Sequence, residues 1–228
     1  MRPLRPRQPG IDGTAAKPDR AAAEATQLEH VTALWDWRRR VANLYAEVRA
    51  REPEAAWRHW RKSRDALFRT HAQTPLEGAQ RAAFAGLSYF DYEPGLRFLV
   101  ELAPADGIAS FKVEAGRDGL VSLTPFAQTR GLAERLGGEL TLYWIGGYGG
   151  GAFLPFGDAT NGAESYAAGR YLLDTVKGAD LGVGGDGRTI LDFNFAYNPS
   201  CSYSDQWVCP LSPPENCLPA PVRAGERQ

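Results

Sequence analysis

A chain of 228 residues with 23% charged and 43% hydrophobic residues is long enough to bury one sizeable core, and its length fits one domain better than two. The formal net charge of -1 excludes a whole-molecule electrostatic bias toward nucleic acid or an anionic membrane. Arginine dominates the basic residues, with only Lys17, Lys62, Lys112 and Lys177 as lysines, which reads as codon usage rather than function.

Residues 1–25 are rich in Pro, Arg, Ala and Asp and contain no apolar stretch of the kind a secretory signal needs. They are expected to form a disordered extension, with a single globular domain over residues 26–228. Leu28, Val31, Leu34, Trp35, Val41, Leu44, Tyr45 and Val48 recur at helical spacing, so a long amphipathic helix opens that domain. Pro53 ends it or begins the next, in which Trp57, Trp60, Leu67 and Phe68 share a side with Arg64. Thr74-Pro75-Leu76-Glu77 reads as a capping box with proline at the first helical position, and Gly86 as the stop of a short third helix.

After Leu87 the period changes to two. Leu96, Phe98, Val100 and Leu102 share a face. Phe111 and Val113 lead through Gly116-Arg117-Asp118-Gly119 to Val121 and Leu123 as a hairpin, and Leu140, Leu142 and Trp144 alternate with polar or amphipathic neighbours. The apolar run from Leu96 to Ala103 is broken by Arg97 and Glu101 and is too short to span a bilayer; a cytoplasmic protein is expected. From Thr189 to Tyr197 the alternation places Leu191, Phe193, Phe195 and Tyr197 on one face and Asp192 and Asn194 on the other. The expected architecture is α+β: helices over 26–87, packed on a mainly antiparallel barrel or sandwich over 88–197. An irregular Pro-rich tail over 198–228 is too apolar and aromatic for a linker and should pack across the sheet.

Familiar functional motifs are excluded in turn. The glycine run 146–151 lacks the Lys-Ser/Thr ending of a phosphate loop. Gly182-Val183-Gly184-Gly185-Asp186-Gly187 is followed by strand-like residues where a dinucleotide fingerprint needs a helix, so it reads as a turn. His30, His59 and His71 form no i, i+4 metal pair. Arg38-Arg39-Arg40 is offset by nearby acids, so neither nucleic acid nor membrane is expected as a partner. Cys201, Cys209 and Cys217 are odd in number and spaced by seven residues, which fits neither a disulfide framework nor a zinc site. They are expected as reduced thiols with no metal, and no cofactor follows from any motif.

Two segments stand apart from ordinary core or surface. They run from Phe153 to Tyr171 and from Leu191 to Asn216. Across them, Pro155-Phe156-x-Asp158-x-Thr160, Gly169-Arg170-Tyr171-Leu172, Asp192-Phe193-Asn194, Ala196-Tyr197-Asn198-Pro199, Cys209-Pro210-Leu211 and Glu215-Asn216 resemble a bacterial and archaeal family, domain of unknown function 1684. The likeness extends to Trp60-x-x-x-Arg64-Asp65, Thr74-Pro75-Leu76, Gly86-Leu87-x-Tyr89-Phe90 and Ala224-Gly225-Glu226, covering about Trp57 to Glu226. The chain carries Gly157 where the family often has Arg, and Ser165 where it often has Thr. The resemblance implies where a site lies but transfers no reaction.

The residues themselves point to a small-molecule-binding barrel, with an enzyme acting on a small polar or anionic substrate as one form of it. Asp158, Thr160, Tyr166, Arg170, Asp192, Asn194, Tyr197 and Asn198 are the candidate ligand-binding residues, with Asp192 and Cys201 as candidate catalytic groups. The planar fork of Arg170 suits a carboxylate or phosphate. Gly169 beside it permits close approach, and if the aromatic face of their strand packs outward against the helices, Asp192 and Asn194 point into a barrel mouth. Two rival readings are a structural network, in which Asp158 or Asp192 holds Arg170, and an interaction module binding a protein through Trp35, Trp37, Trp57 and Trp60.

Overall fold

The structure, a computed structural model, describes residues 20–114, 116 and 119–228, with side chains from residue 24 onward. Residues 1–19 of the expected extension and the turn residues Arg117 and Asp118 lie outside the described residues; residues 20–25 fall within the first helix. Helix α1 (Arg20–Arg49) turns sharply into α2 (Pro53–Thr70). At 1.5 Å per residue, α1 is about 45 Å long and α2 about 27 Å, so the partner helix runs out before α1 does. His71 and Gln73, just past α2, meet Asp36 and His30 at 3.2 and 3.3 Å. Trp37 packs on Phe68, while Leu28, Val31 and Trp35 stay 50–67% exposed. The apolar stripe read from the sequence is therefore buried only toward its C-terminal end, at Leu44, Tyr45 and Val48.

The expected capping box does not form. Helix α3 spans Gly78–Ala82 with Glu77 at its N-cap. The Thr74 hydroxyl donates instead to the Phe68 carbonyl at 2.7 Å, satisfying an acceptor that the end of α2 leaves open.

Among the described residues, the β region has seven strands, all paired antiparallel: β1 (Arg97–Pro104), β2 (Phe111–Glu114), β3 (Leu120–Arg130), β4 (Thr141–Ile145), β5 (Gly151–Phe156), β6 (Arg170–Asp174) and β7 (Thr189–Asp192). Their order is β6-β5-β4-β3-β1-β7, with β2 also on β3. Beyond β7 the chain reaches β6 again, where Tyr171 and Tyr197 exchange both backbone hydrogen bonds at 2.8 and 3.0 Å. That contact nearly closes the sheet into a barrel. The turn of residues 182–187 is a tight return into β7, with Gly184 donating to Arg188 and Gly187 to Gly184.

Strand alternation divides the apolar residues between two cores. Val100, Ala127, Leu142, Leu154, Leu172 and Leu191, one from each of six strands, meet inside the barrel. Leu132 and Leu136 around the short helix α4 (Ala133–Leu136) and Leu218, Val222 and Ala224 of the tail close its ends. Outside, Leu123, Tyr143, Phe153 and Tyr171 meet Leu44, Tyr45, Val48, Trp57 and Trp60 of the helices. Leu123 and Ala127 lie four residues apart yet face opposite sides, because a bulge between Pro125 and Ala127 inserts one residue. A second bulge lies opposite Pro155, where β6 carries Leu172 as the extra residue; Pro155 has no N–H for the ladder, and its carbonyl is taken by the Asn216 side chain at 2.7 Å.

Two expectations about the barrel are corrected here. The alternating strand to Tyr197 stops at Asp192, and Phe193–Phe195 is a 3-10 turn. Three residues of turn reverse the phase: Leu191 and Phe193 belong to the barrel interior, whereas Phe195 and Tyr197 lie under the helices. Asp192 consequently points toward the helical layer rather than into a barrel mouth, and the interior it was expected to line is filled with leucine and phenylalanine. No helix among the described residues is long and apolar enough to cross a membrane.

Candidate functional site

Arg170 opens β6 and pairs in register with Phe156 of β5. Gly169 before it has φ +90°, and a Cβ there would stand 2.5 Å from the Phe156 carbonyl oxygen, so glycine serves the approach of this chain's own backbone. The guanidinium is completely buried. Nη2 donates to Asp158 Oδ2 at 2.8 Å and to the Val222 carbonyl at 2.8 Å, while Nη1 donates to the carbonyls of Ala224 and Glu226. Asp158 Oδ1 accepts from the peptide N–H groups of Thr160 and Val222 at 2.8 and 3.0 Å. Burial pulls the Arg170 pKa down, and the Asp158 carboxylate opposes that pull. The ion pair thus fastens the tail to the end of the barrel, and Arg170 with Asp158 forms the structural network rather than a ligand clamp.

Neighbouring candidates fall into the same scaffold. The Thr160 hydroxyl bonds Ser165 at 2.7 Å within its turn. Asn198 donates its N–H to Glu226 Oε2 at 3.0 Å, and Glu226 is held by Arg64 of α2 at 2.8 Å. Tyr197 lies under the Arg64 guanidinium, 5.0 Å from its ring centre, with its hydroxyl unpartnered in the core. Trp57 and Trp60 are buried against the barrel, and Trp37 packs on Phe68 and His71. Trp57 and Trp60 are covered because α2 needs its aromatic side to cover the barrel, whereas Trp37 is half-buried and Trp35 exposed.

Asp192 is different. Its Oδ1 accepts from the N–H and side-chain amide of Asn194 at 3.0 and 2.8 Å. Asn194 is fixed in turn by two hydrogen bonds to the backbone of Glu93, at 2.8 and 2.9 Å. Oδ2 has no hydrogen-bond partner, although the side chain is only 1% exposed. Asp192 lines a cleft of about 60 Å³ between the α1–α2 turn and the β1–β7 pair, together with Arg49, Arg51, Arg97, Pro53, Ile190 and Phe195. Arg97 Nε lies 3.7 Å from Oδ2, too long for a hydrogen bond. Burial raises the Asp192 pKa to about 6, against the lowering effect of Asn194 and Arg97. The wider groove along β1 and Arg188 is open to solvent, and its Asp186 and Arg188 already pair with each other at 2.7 Å.

The structure therefore brings Asp192 and Asn194 together, as expected, but with arginines the sequence reading did not select. Arg97 had left one sign: a charge interrupting an apolar strand. Its pairing in register with Asp192 became visible only in the sheet. Tyr166 and Cys201 form a separate group, with the phenol oxygen 3.8 Å from the sulfur. The two ring nitrogens of His71 are engaged by Asp36 and by the Gln73 N–H.

The chain is similar to an uncharacterised protein of Haloarcula marismortui, whose solution structure matches with 33% identity and a TM-score of 0.51, covering 77% of this chain and 94% of that one. No curated protein matches. The family model described as protein of unknown function, DUF1684, matches residues 82–227, so the resemblance at Trp60 through Leu76 lies before the matched span. With that model covering more than half of its length and the barrel and tail inside that span, the chain belongs to the DUF1684 family.

Proposed function

We propose that this protein binds a small anion, a carboxylate- or phosphate-type head group, in the cleft above Asp192. The observation that carries this reading is Asp192, whose buried Oδ2 lacks a hydrogen bond and whose side chain lines a cleft bordered by three arginines. Buried polar atoms are satisfied in the great majority of cases, so an unpaired one on a side chain that lines a cleft marks a place for a partner. Arg97, about one-third exposed and paired with Asp192 at 3.7 Å without a hydrogen bond, supplies a planar fork for an oxyanion. Arg49 and Arg51 are partly held, by the Asp180 and Glu47 carbonyls, and add positive potential at the rim.

The carboxyl sets the proton dependence. Ionised, Asp192 repels an anion; protonated, it becomes a donor for the ligand. Because burial raises its pKa to about 6, binding should tighten as pH falls through that value. A group poised there beside an arginine also suits general acid or base work on the bound molecule, which makes Asp192 the catalytic candidate of an enzymatic form of this site.

Sulfate tests the reading, because its charge stays constant over the range of interest. Calorimetric titration should show saturable binding that strengthens roughly tenfold from about pH 8 to about pH 5. Arg97→Ala should abolish it, and Asp192→Asn should flatten its pH profile. Saturable binding that survives Arg97→Ala, or none at either pH, would overturn the proposal.

A further inference from the structure

We propose that the ligand of the Asp192 cleft is a short-chain monocarboxylate of about three or four carbons, its carboxylate on Arg97 and its alkyl tail against Val48, Ile190 and Phe195. This rests on the anion reading above and narrows it from any small oxyanion to one chemical class.

The register of the sheet lays out the two halves of the site. Arg97 pairs with Asp192, and Leu99 pairs with Ile190. Leu191 faces the barrel interior, so Ile190 and Asp192 on either side of it face the helices. They stand about 7 Å apart along β7, the rise of two strand residues. A charged cross-strand pair and an aliphatic one therefore lie next to each other on the surface that borders the cleft. Buried Val48 of α1 and Ala56 of α2 supply the opposite wall. Phe195 adds a rigid aromatic side, because its ring is held edge-on by Trp60 at 5.3 Å. Six of the ten lining residues are apolar: Val48, Pro53, Ala56, Leu181, Ile190 and Phe195.

The polar end fits one carboxylate. Arg49 and Arg51 donate to the Asp180 and Glu47 carbonyls at 2.6 and 2.7 Å. Among the described residues, Arg97 is the bordering arginine without a hydrogen bond. Its fork can donate to a carboxylate, and protonated Asp192 can donate through Oδ2, since Oδ1 is taken by Asn194. Sulfate and phosphate can use the same donors, but their remaining oxygens then press against aliphatic carbon without partners. A dicarboxylate meets the same penalty at its far end. A monocarboxylate presents its oxygens to one end of the cleft and carbon to the other.

The volume sets the length. A cleft of about 60 Å³ holds about four to six ligand heavy atoms, at about 10–15 Å³ for each water-sized atom. Acetate, propionate and butyrate fall in that range, and the last two also cover the aliphatic wall. Octanoate exceeds it.

The test is a series of calorimetric titrations of the full chain near pH 6, where Asp192 is partly protonated, with sulfate, acetate, propionate, butyrate and octanoate. Affinity should rise from acetate to butyrate by roughly threefold to fourfold per methylene, and octanoate should bind more weakly than butyrate. Butyrate should displace sulfate competitively, and Arg97→Ala should abolish binding of both. Ile190→Thr keeps a β-branched side chain in the strand and should shrink the gain per methylene; thermal unfolding checks that each variant is folded. Sulfate binding with no chain-length dependence among the carboxylates would overturn this inference and leave the anion reading standing. Absence of Arg97-dependent binding for sulfate and carboxylates alike would remove both. Affinity that keeps rising through octanoate would also overturn the inference, since it marks an open apolar surface rather than a cleft of this size.

Discussion

Arg170 and Asp192 are both buried charges, and their hydrogen bonds separate their roles. The two Nη groups of Arg170 make four contacts and Asp158 uses both oxygens, so the ion pair is held by its own chain, with Arg170 Nε alone buried without a partner. Arg170→Ala would strand a buried carboxylate and remove three carbonyl partners. Denaturation should show a loss of about 3–5 kcal/mol, with Arg170→Ala and Asp158→Ala strongly non-additive in the double variant. Asp192→Asn keeps an oxygen that can accept from Asn194 and removes a buried charge whose Oδ2 is unpartnered; a change within about 1 kcal/mol is expected. Equal large losses at both positions would assign Asp192 to the scaffold as well.

Among the elements, the two helices contribute unequally. Trp60 is fully buried and meets Tyr89 and Phe195 edge-on at 5.6 and 5.3 Å. Trp35 on the projecting part of α1 is 67% exposed. Trp60→Ala should cost about 3–5 kcal/mol by cavity formation, whereas Trp35→Ala should change stability by less than about 0.5 kcal/mol. Thermal unfolding of the two variants beside wild type measures the contrast, and a comparable loss at Trp35 would mean that the projecting stripe is covered in solution. The bulges at Pro125/Ala127 and Pro155, with the turn at Phe193, matter in the same way. Each reverses which face of a strand looks inward, and so each decides whether a side chain enters the barrel or meets the helices.

For the whole molecule, the tail is a structural member. Leu218, Val222 and Ala224 lie in the barrel core, Asn216 bonds both the N–H and carbonyl of Thr141, and Glu226 joins the tail to Arg64. Truncation before Asn198 removes all of these together with three of the carbonyls that hold Arg170. The shortened chain should be insoluble, or should keep far-ultraviolet ellipticity while losing near-ultraviolet signal and cooperative unfolding. A soluble truncated chain with a sharp transition would contradict this.

The long helices, the antiparallel strands and the packed tail were legible in the sequence, because apolar periodicity records which side of an element is removed from water, and an aromatic, proline-rich stretch needs somewhere to pack. Asp192 and Asn194 were legible as unusual residues at the end of a strand. Their direction was not, since one inserted residue or one turn inverts the phase, and composition does not record either. The assignment of Arg170 and Arg97 was likewise decided by tertiary structure. Both are arginines beside apolar residues in the chain, but one meets a carboxylate twelve positions away and carbonyls more than fifty positions away. The other meets a carboxylate across a strand pair at 3.7 Å, an ion pair without a hydrogen bond. Which charge is satisfied depends on partners brought together from distant parts of the chain, and that information exists only in the fold.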